Sequence, residues 1–198
     1  MLTHINFSFA IPAKTGDTLE PLKKPEALRN LVRYVHQHKK QVFISIGGWG
    51  IGDGGGDDTR FHRMAERAEG RHTFVQNVIK FVRNYHVDGV DLDWEYPDED
   101  SPSADHYVAL VSELADSLHA QGKKLTAAVI SYGKKGYGTK KKPSIKWTGS
   151  ISWPTTMTTA PTTSKPILPI LWHKKLGLLD KRTGFGTSKG YFRTAILR

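Results

Sequence analysis

Cysteine is absent from the 198-residue chain, which excludes disulfides, thiolate metal sites and a cysteine nucleophile. No apolar run approaches the roughly 18 residues that a membrane-spanning helix needs, so no membrane partner is expected. The N-terminus, Met1-Leu2-Thr3-His4-Ile5-Asn6, has neither the basic nor the apolar region of a secretory leader. Acidic residues vanish from positions 139–198 except for Asp180, while 12 of the 29 Lys and Arg residues lie there. The net charge of +10 is therefore a property of the tail alone, because residues 1–138 carry 17 basic and 18 acidic side chains. The chain reads as two texts joined near Thr139.

The first text alternates strand and helix. Residues 2–10 (LTHINFSFA) are β-rich and end before Pro12. Pro25 suits a first helical turn, with Leu28, Leu31, Val32 and Val35 following at helical spacing. Residues 41–46 (QVFISI) make a short strand stopped by Gly47-Gly48, and a Gly/Asp loop fills 50–58. Phe74, Val78, Phe81, Val82 and Tyr85 form the next helical stripe. A strand over 87–94, a helix from Ser101-Pro102 and a strand over 125–131 complete the series. Such alternation implies right-handed crossovers and a parallel sheet. Both a doubly wound sheet and part of a (β/α) barrel fit it, the whole barrel needing roughly 250 residues.

The segment Val87-Asp88-Gly89-Val90-Asp91-Leu92-Asp93-Trp94-Glu95-Tyr96-Pro97 carries the most chemistry. Side chains alternate faces along a strand, so Asp91, Asp93 and Glu95 share one face and Val90, Leu92 and Trp94 the other. Three carboxylates on one face raise at least one pKa, which is how a protein keeps an acid protonated at neutral pH. Glu95 falls at the C-terminal end of the strand, where sites of α/β folds gather. A solvated acidic face, or a Mg²⁺ or Ca²⁺ site, would use the same oxygens.

This stretch resembles the signature of the family 18 glycoside hydrolases, the chitinases: an aliphatic residue followed by D-G-x-D-x-D-x-E, matched from Val87 to Glu95. A second family signature, S-x-G-G, appears as Ser45-Ile46-Gly47-Gly48, with Trp49 next. The resemblance covers about 1–138 and implies part of a (β/α)₈ barrel, its second to fifth strands. It implies that Glu95 protonates the glycosidic oxygen and later activates water. Asp93 would orient the substrate's own acetamido group as nucleophile, sharing a proton with Asp91, so the two-carboxylate retaining scheme does not apply. Ser45 would hydrogen-bond Asp91, with Asp88 also behind the catalytic set. Gly48, Trp49 and Tyr96 would meet the sugar. Chitin or N-acetylglucosamine oligomers are the implied substrate, with no metal and no cofactor, and the intact parent is expected to be secreted. A non-catalytic chitin-binding lectin-like protein is the first alternative, opposed by the presence of Glu95.

Weaker signals compete. Gly50-Ile51-Gly52-Asp53-Gly54-Gly55 matches G-x-G-x-x-G, but Asp53, Asp57 and Asp58 would repel a pyrophosphate and no helix follows directly. A Ca²⁺ loop there yields to an ordinary surface loop. The sequon Asn6-Phe7-Ser8 falls inside a buried strand and is not expected to be modified.

Residues 139–198 show no period of 2 or 3.6, and the Met-x-Tyr-Asp strand that the family carries next is missing. Reading the third base of each codon with the first two of the next forces Asp at Trp147–Thr148, Ala at Trp153–Pro154 and Asp at Met157–Thr158. The shifted text is compatible with V-D-W-I-N-L-M-A-Y-D-D-D-H, which restores that motif. The tail is thus expected to be out of frame after Lys140-Lys141-Lys142 and irregular in structure, and the chain itself to be weakly active or inactive. A basic nucleic-acid-binding arm is the lesser alternative, and no nucleic-acid partner is expected.

Overall fold

The computed structural model describes residues 3–52, 58–98 and 101–130, together with the backbone of 147–152 and 192–197. Strand β1 (His4–Ala10) leads through a loop to helix α1 (Pro25–Gln37), which starts on its proline and turns Leu28, Val32 and Val35 inward. Strand β2 (Gln41–Gly47) ends in a short 3₁₀ turn at Trp49–Ile51. Helices α2 (Thr59–Glu66) and α3 (Ala68–Tyr85) follow, then β3 (Gly89–Asp93), α4 (Ser101–His119) and β4 (Lys124–Ile130). The sequence shows α3 and misses α2, because Phe61, Met64 and Ala65 give barely one turn of apolar pattern.

Strands β1 to β4 are parallel neighbours in chain order, as successive right-handed crossovers require. This is part of a (β/α) barrel wall. One face of the wall is apolar: Ile5, Val42, Ile44, Ile46, Val90, Leu92, Leu125 and Ala127 join the side chains of all four helices in one core. Trp94 extends that face beyond β3. Its ring stacks on Phe61 of α2 at 5.1 Å, meets His62 edge-on at 5.1 Å and lies 5.8 Å from Tyr107 of α4. The other face carries Asn6, Ser45, Asp91, Asp93 and Thr126, all buried.

Strand β3 stops at Asp93 rather than at Trp94 as the sequence suggests. Its ladder to β2 runs out with the pair Gly47–Asp93, so Glu95 sits on an extended segment past the sheet. The tail also departs from expectation. Segments β5 (Trp147–Ser152) and β6 (Phe192–Leu197) are strands, not irregular chain, and give a six-stranded sheet of order β1-β2-β3-β4-β6-β5. Strand β6 pairs antiparallel with β4. An unpaired edge accepts any extended segment that reaches it, and both pieces are rich in β-branched or aromatic residues. The rest of the tail, and the Asp53–Asp57 part of the glycine loop, lie outside the described residues.

Gly47 is fixed by two constraints. Its φ of 119° is costly for any L side chain, and an added Cβ would lie 2.2 Å from the Asp93 carbonyl oxygen. We predict that Gly47→Ala lowers stability by about 3 kcal/mol, whereas Gly50→Ala, whose Cβ would meet nothing within 4 Å among the described residues, is close to neutral. Urea unfolding of both variants checks the contrast, and equal midpoints would contradict it.

Candidate functional site

The strand-end carboxylates form a single buried set. Asp91 is fully buried, Asp93 is 5% exposed and Glu95 is 9% exposed. Register puts Ser45, Asp91 and Thr126 directly opposite one another on three adjacent strands. Ser45 Oγ donates to Asp91 Oδ2 at 3.0 Å and Thr126 Oγ1 donates to Asp91 Oδ1 at 2.5 Å. The Asn6 amide from β1 adds a further hydrogen bond. Asp93 hydrogen-bonds Glu95, while its Oδ1 is buried without a partner among the described residues. The Tyr96 hydroxyl donates to Glu95 Oε2 at 3.0 Å.

Burial pushes the Asp93 carboxyl well above the usual carboxylate range, and the charges of Asp91 and Glu95 push the same way. Burial also raises Asp91, opposed by the donors on Thr126, Ser45 and Asn6, with Glu95 adding to the rise. Tyr107, buried on α4, has its phenol raised by burial and then by Asp91 and Asp93. Such a set can hold a proton among oxygens that are normally ionised, and can deliver it at the mouth of the strand.

The backbone around the set is equally constrained. Gly48 donates its N–H to the Asp93 carbonyl at 2.8 Å, and a Cβ on it would meet the Phe9 ring at 2.9 Å. A Cβ on Gly52 would lie 2.1 Å from the Glu95 carbonyl oxygen. The 48–52 turn therefore moulds the segment that bears Glu95. Trp49, beside it, is 49% exposed and presents a flat apolar ring.

Two expected residues are placed differently. Tyr96 is only 2% exposed, so its ring is buried and its hydroxyl serves Glu95 instead of facing a cleft. Asp88 precedes β3 at the strand's other end, where it bonds His36 Nε2 at 2.7 Å and the Val42 N–H at 2.9 Å. At about 3.3 Å per residue it stands some 10 Å along the strand from Asp91 and some 16 Å from Asp93, beyond hydrogen-bond reach of either. Thr126 and Asn6 contact Asp91 and carried no motif signal; only their place on the inner face of β-rich runs marks them. Asn6 is buried in β1, as the sequon reading expects. Among the described residues no three His, Asp or Glu side chains converge as metal ligands, and no helix is long and apolar enough to cross a membrane.

Comparison with known proteins matches residues 1–155 to the model of "Glycosyl hydrolases family 18". "Probable chitinase 10" of Drosophila melanogaster is 36% identical over 141 residues, covering 65% of this chain and 6% of that protein. A mutant of catalytic domain 2 of the Ostrinia furnacalis group II chitinase, solved in complex with penta-N-acetylchitooctaose, aligns with a TM-score of 0.54 at 28% identity. That alignment covers 63% of this chain and 35% of the other. A chitinase-like agglutinin from Robinia pseudoacacia aligns with a TM-score of 0.53 at 26% identity, covering 60% and 35% of the two chains. The chain thus spans only a minor part of each relative's length.

The raised Asp93 carboxyl has a thermodynamic consequence. The folded state holds this proton more tightly than the unfolded chain, so stability falls as pH rises from about 4 toward the Asp93 midpoint, then levels. We predict that Asp93→Asn gains on the parent across that window, by up to about 1.4 kcal/mol per pH unit. Thermal melts of both proteins at several pH values check this; a stability difference independent of pH would contradict it.

Proposed function

Because the chain belongs to glycosyl hydrolases family 18, we propose that its carboxylate set hydrolyses β-1,4 N-acetylglucosamine linkages in chitin with retention of configuration. The observation that carries this reading is the buried run Asp91, Asp93, Glu95 at the mouth of β3, with Glu95 placed last and held by Tyr96 and Asp93. Glu95 donates a proton to the glycosidic oxygen as the bond to C1 breaks. The carbonyl oxygen of the substrate's 2-acetamido group attacks C1 and closes an oxazolinium ring. Asp93 accepts the acetamido N–H, which aims the carbonyl and stabilises the positive ring. Glu95, now ionised, takes a proton from water as that water opens the ring at C1. Two inversions give retention and return Glu95 to its acid form. The exposed Trp49 ring suits an apolar sugar face beside the set.

The likeness to a chitinase-like agglutinin supports a second reading, binding of chitin oligomers without turnover. Glu95 favours the hydrolytic one. Residues 1–138 are proposed as the barrel part and 139–198 as text out of frame, in line with the forced Asp, Ala and Asp of the shifted reading. The group that would hold the acetamido carbonyl then stands in the other frame, and the chain as written is slow. Preorganised donors of this type are worth about 10²–10³ in rate.

Two predictions follow from the mechanism. In a frame-restored chain, Glu95→Gln cuts chitin-oligomer hydrolysis to below about a hundredth while binding of the same oligomers persists. Turnover near the parent's would remove Glu95 as the acid; binding without turnover in the frame-restored parent would favour the agglutinin reading. The frame-restored chain should also cleave a fluorogenic chitobioside about 10²-fold or more faster than the 198-residue chain. Equal rates would sink the frameshift.

A further inference from the structure

Thr126 lies on β4, outside both motifs, yet it makes a 2.5 Å hydrogen bond to the buried Asp91. The register Ser45–Asp91–Thr126 places a hydroxyl on each side of the same carboxylate, one from β2 and one from β4. Each hydroxyl takes a different oxygen, Ser45 on Oδ2 and Thr126 on Oδ1. Held from both flanks by rigid sheet, the carboxylate plane cannot turn without breaking one of the two bonds. Asp93 is built oppositely: its Oδ1 is buried with no donor among the described residues.

We propose that Thr126 is a positioning residue that pins Asp91 Oδ1, fixing Asp91 as the ionised member of the acidic set and leaving the proton to the hydrogen-bonded pair Asp93 and Glu95. A hydroxyl donor favours the charged form of a carboxylate, and two of them counter the cost of burying Asp91. Among the described residues, the titratable groups bearing on Asp91 are Asp93 and Glu95 on its own segment and Tyr107 from α4. From β1, β2 and β4 it meets the neutral Asn6, Ser45 and Thr126. The catalytic meaning of this assignment rests on the proposed hydrolysis, but its test does not use turnover.

Carboxyl-carbon NMR titration of the full chain reads the effect. Thr126→Val, which keeps shape and removes the donor, moves the Asp91 midpoint upward by about one pH unit. Thr126→Ser returns it to within a few tenths. An unmoved midpoint in Thr126→Val, or a Ser variant that behaves like Val, overturns the assignment. Should the Val variant fail to fold, the parent decides. Its Thr126 hydroxyl proton gives a slowly exchanging resonance that shifts as Asp91 titrates, and a fast-exchanging or unresponsive hydroxyl overturns the assignment. Failure of Glu95→Gln to abolish turnover would strike the hydrolytic reading and leave these outcomes standing.

Discussion

A carboxylate that stays ionised when buried in a parallel sheet needs a donor for each oxygen, and Asp91 obtains them only if three strands stand in one register. That requirement links distant parts of the chain. Ser45 must lie opposite Asp91 on β2 and Thr126 opposite it on β4, so the lengths of the crossovers between these strands are set by chemistry as well as by packing. The opposite face makes the register affordable: a one-residue slip would move Val90, Leu92 and Trp94 out of the helix core and the carboxylates into it. Hydrophobic burial on one side therefore enforces polar alignment on the other.

Much of this was legible in the sequence because both faces of β3 are written in a period of two. The alternation of Val90, Leu92 and Trp94 with Asp91, Asp93 and Glu95 placed each residue on its proper side without reference to structure. Tertiary partners were harder. Tyr96 follows Glu95 and reads as a cleft residue, yet its ring is buried because the segment past Asp93 packs inward. Asp88 belongs to the same motif by position but faces α1 and β2 at the strand's start, a placement that spacing alone does not disclose. Thr126 has no local signature, since its role depends on which strand happens to lie beside β3.

The tail shows what an open sheet edge does with chain of no matching period. Four parallel strands leave β4 with unpaired backbone groups, and β6 satisfies them in the antiparallel sense, with Thr126 opposite Ile196. A barrel wall grows by parallel addition through helical crossovers. Antiparallel pairing at that edge satisfies the hydrogen bonds of β4 without continuing the parallel series of the wall. Backbone satisfaction and architecture are separable demands, and β6 meets only the first.

The peg at the start of β3 has a different significance. Asp88 binds His36 and the Val42 N–H at one end of a strand whose other end delivers Glu95. The strand thus has a mechanical end and a reactive end, with five buried residues of sheet between them. Changes near the peg alter how firmly the strand is tethered without entering the acid set. Changes in the turn at 48–52 alter the acid set without loosening the tether. A lineage carrying this arrangement can adjust thermal tolerance and reactivity by separate mutations, and such independence widens the paths open to it.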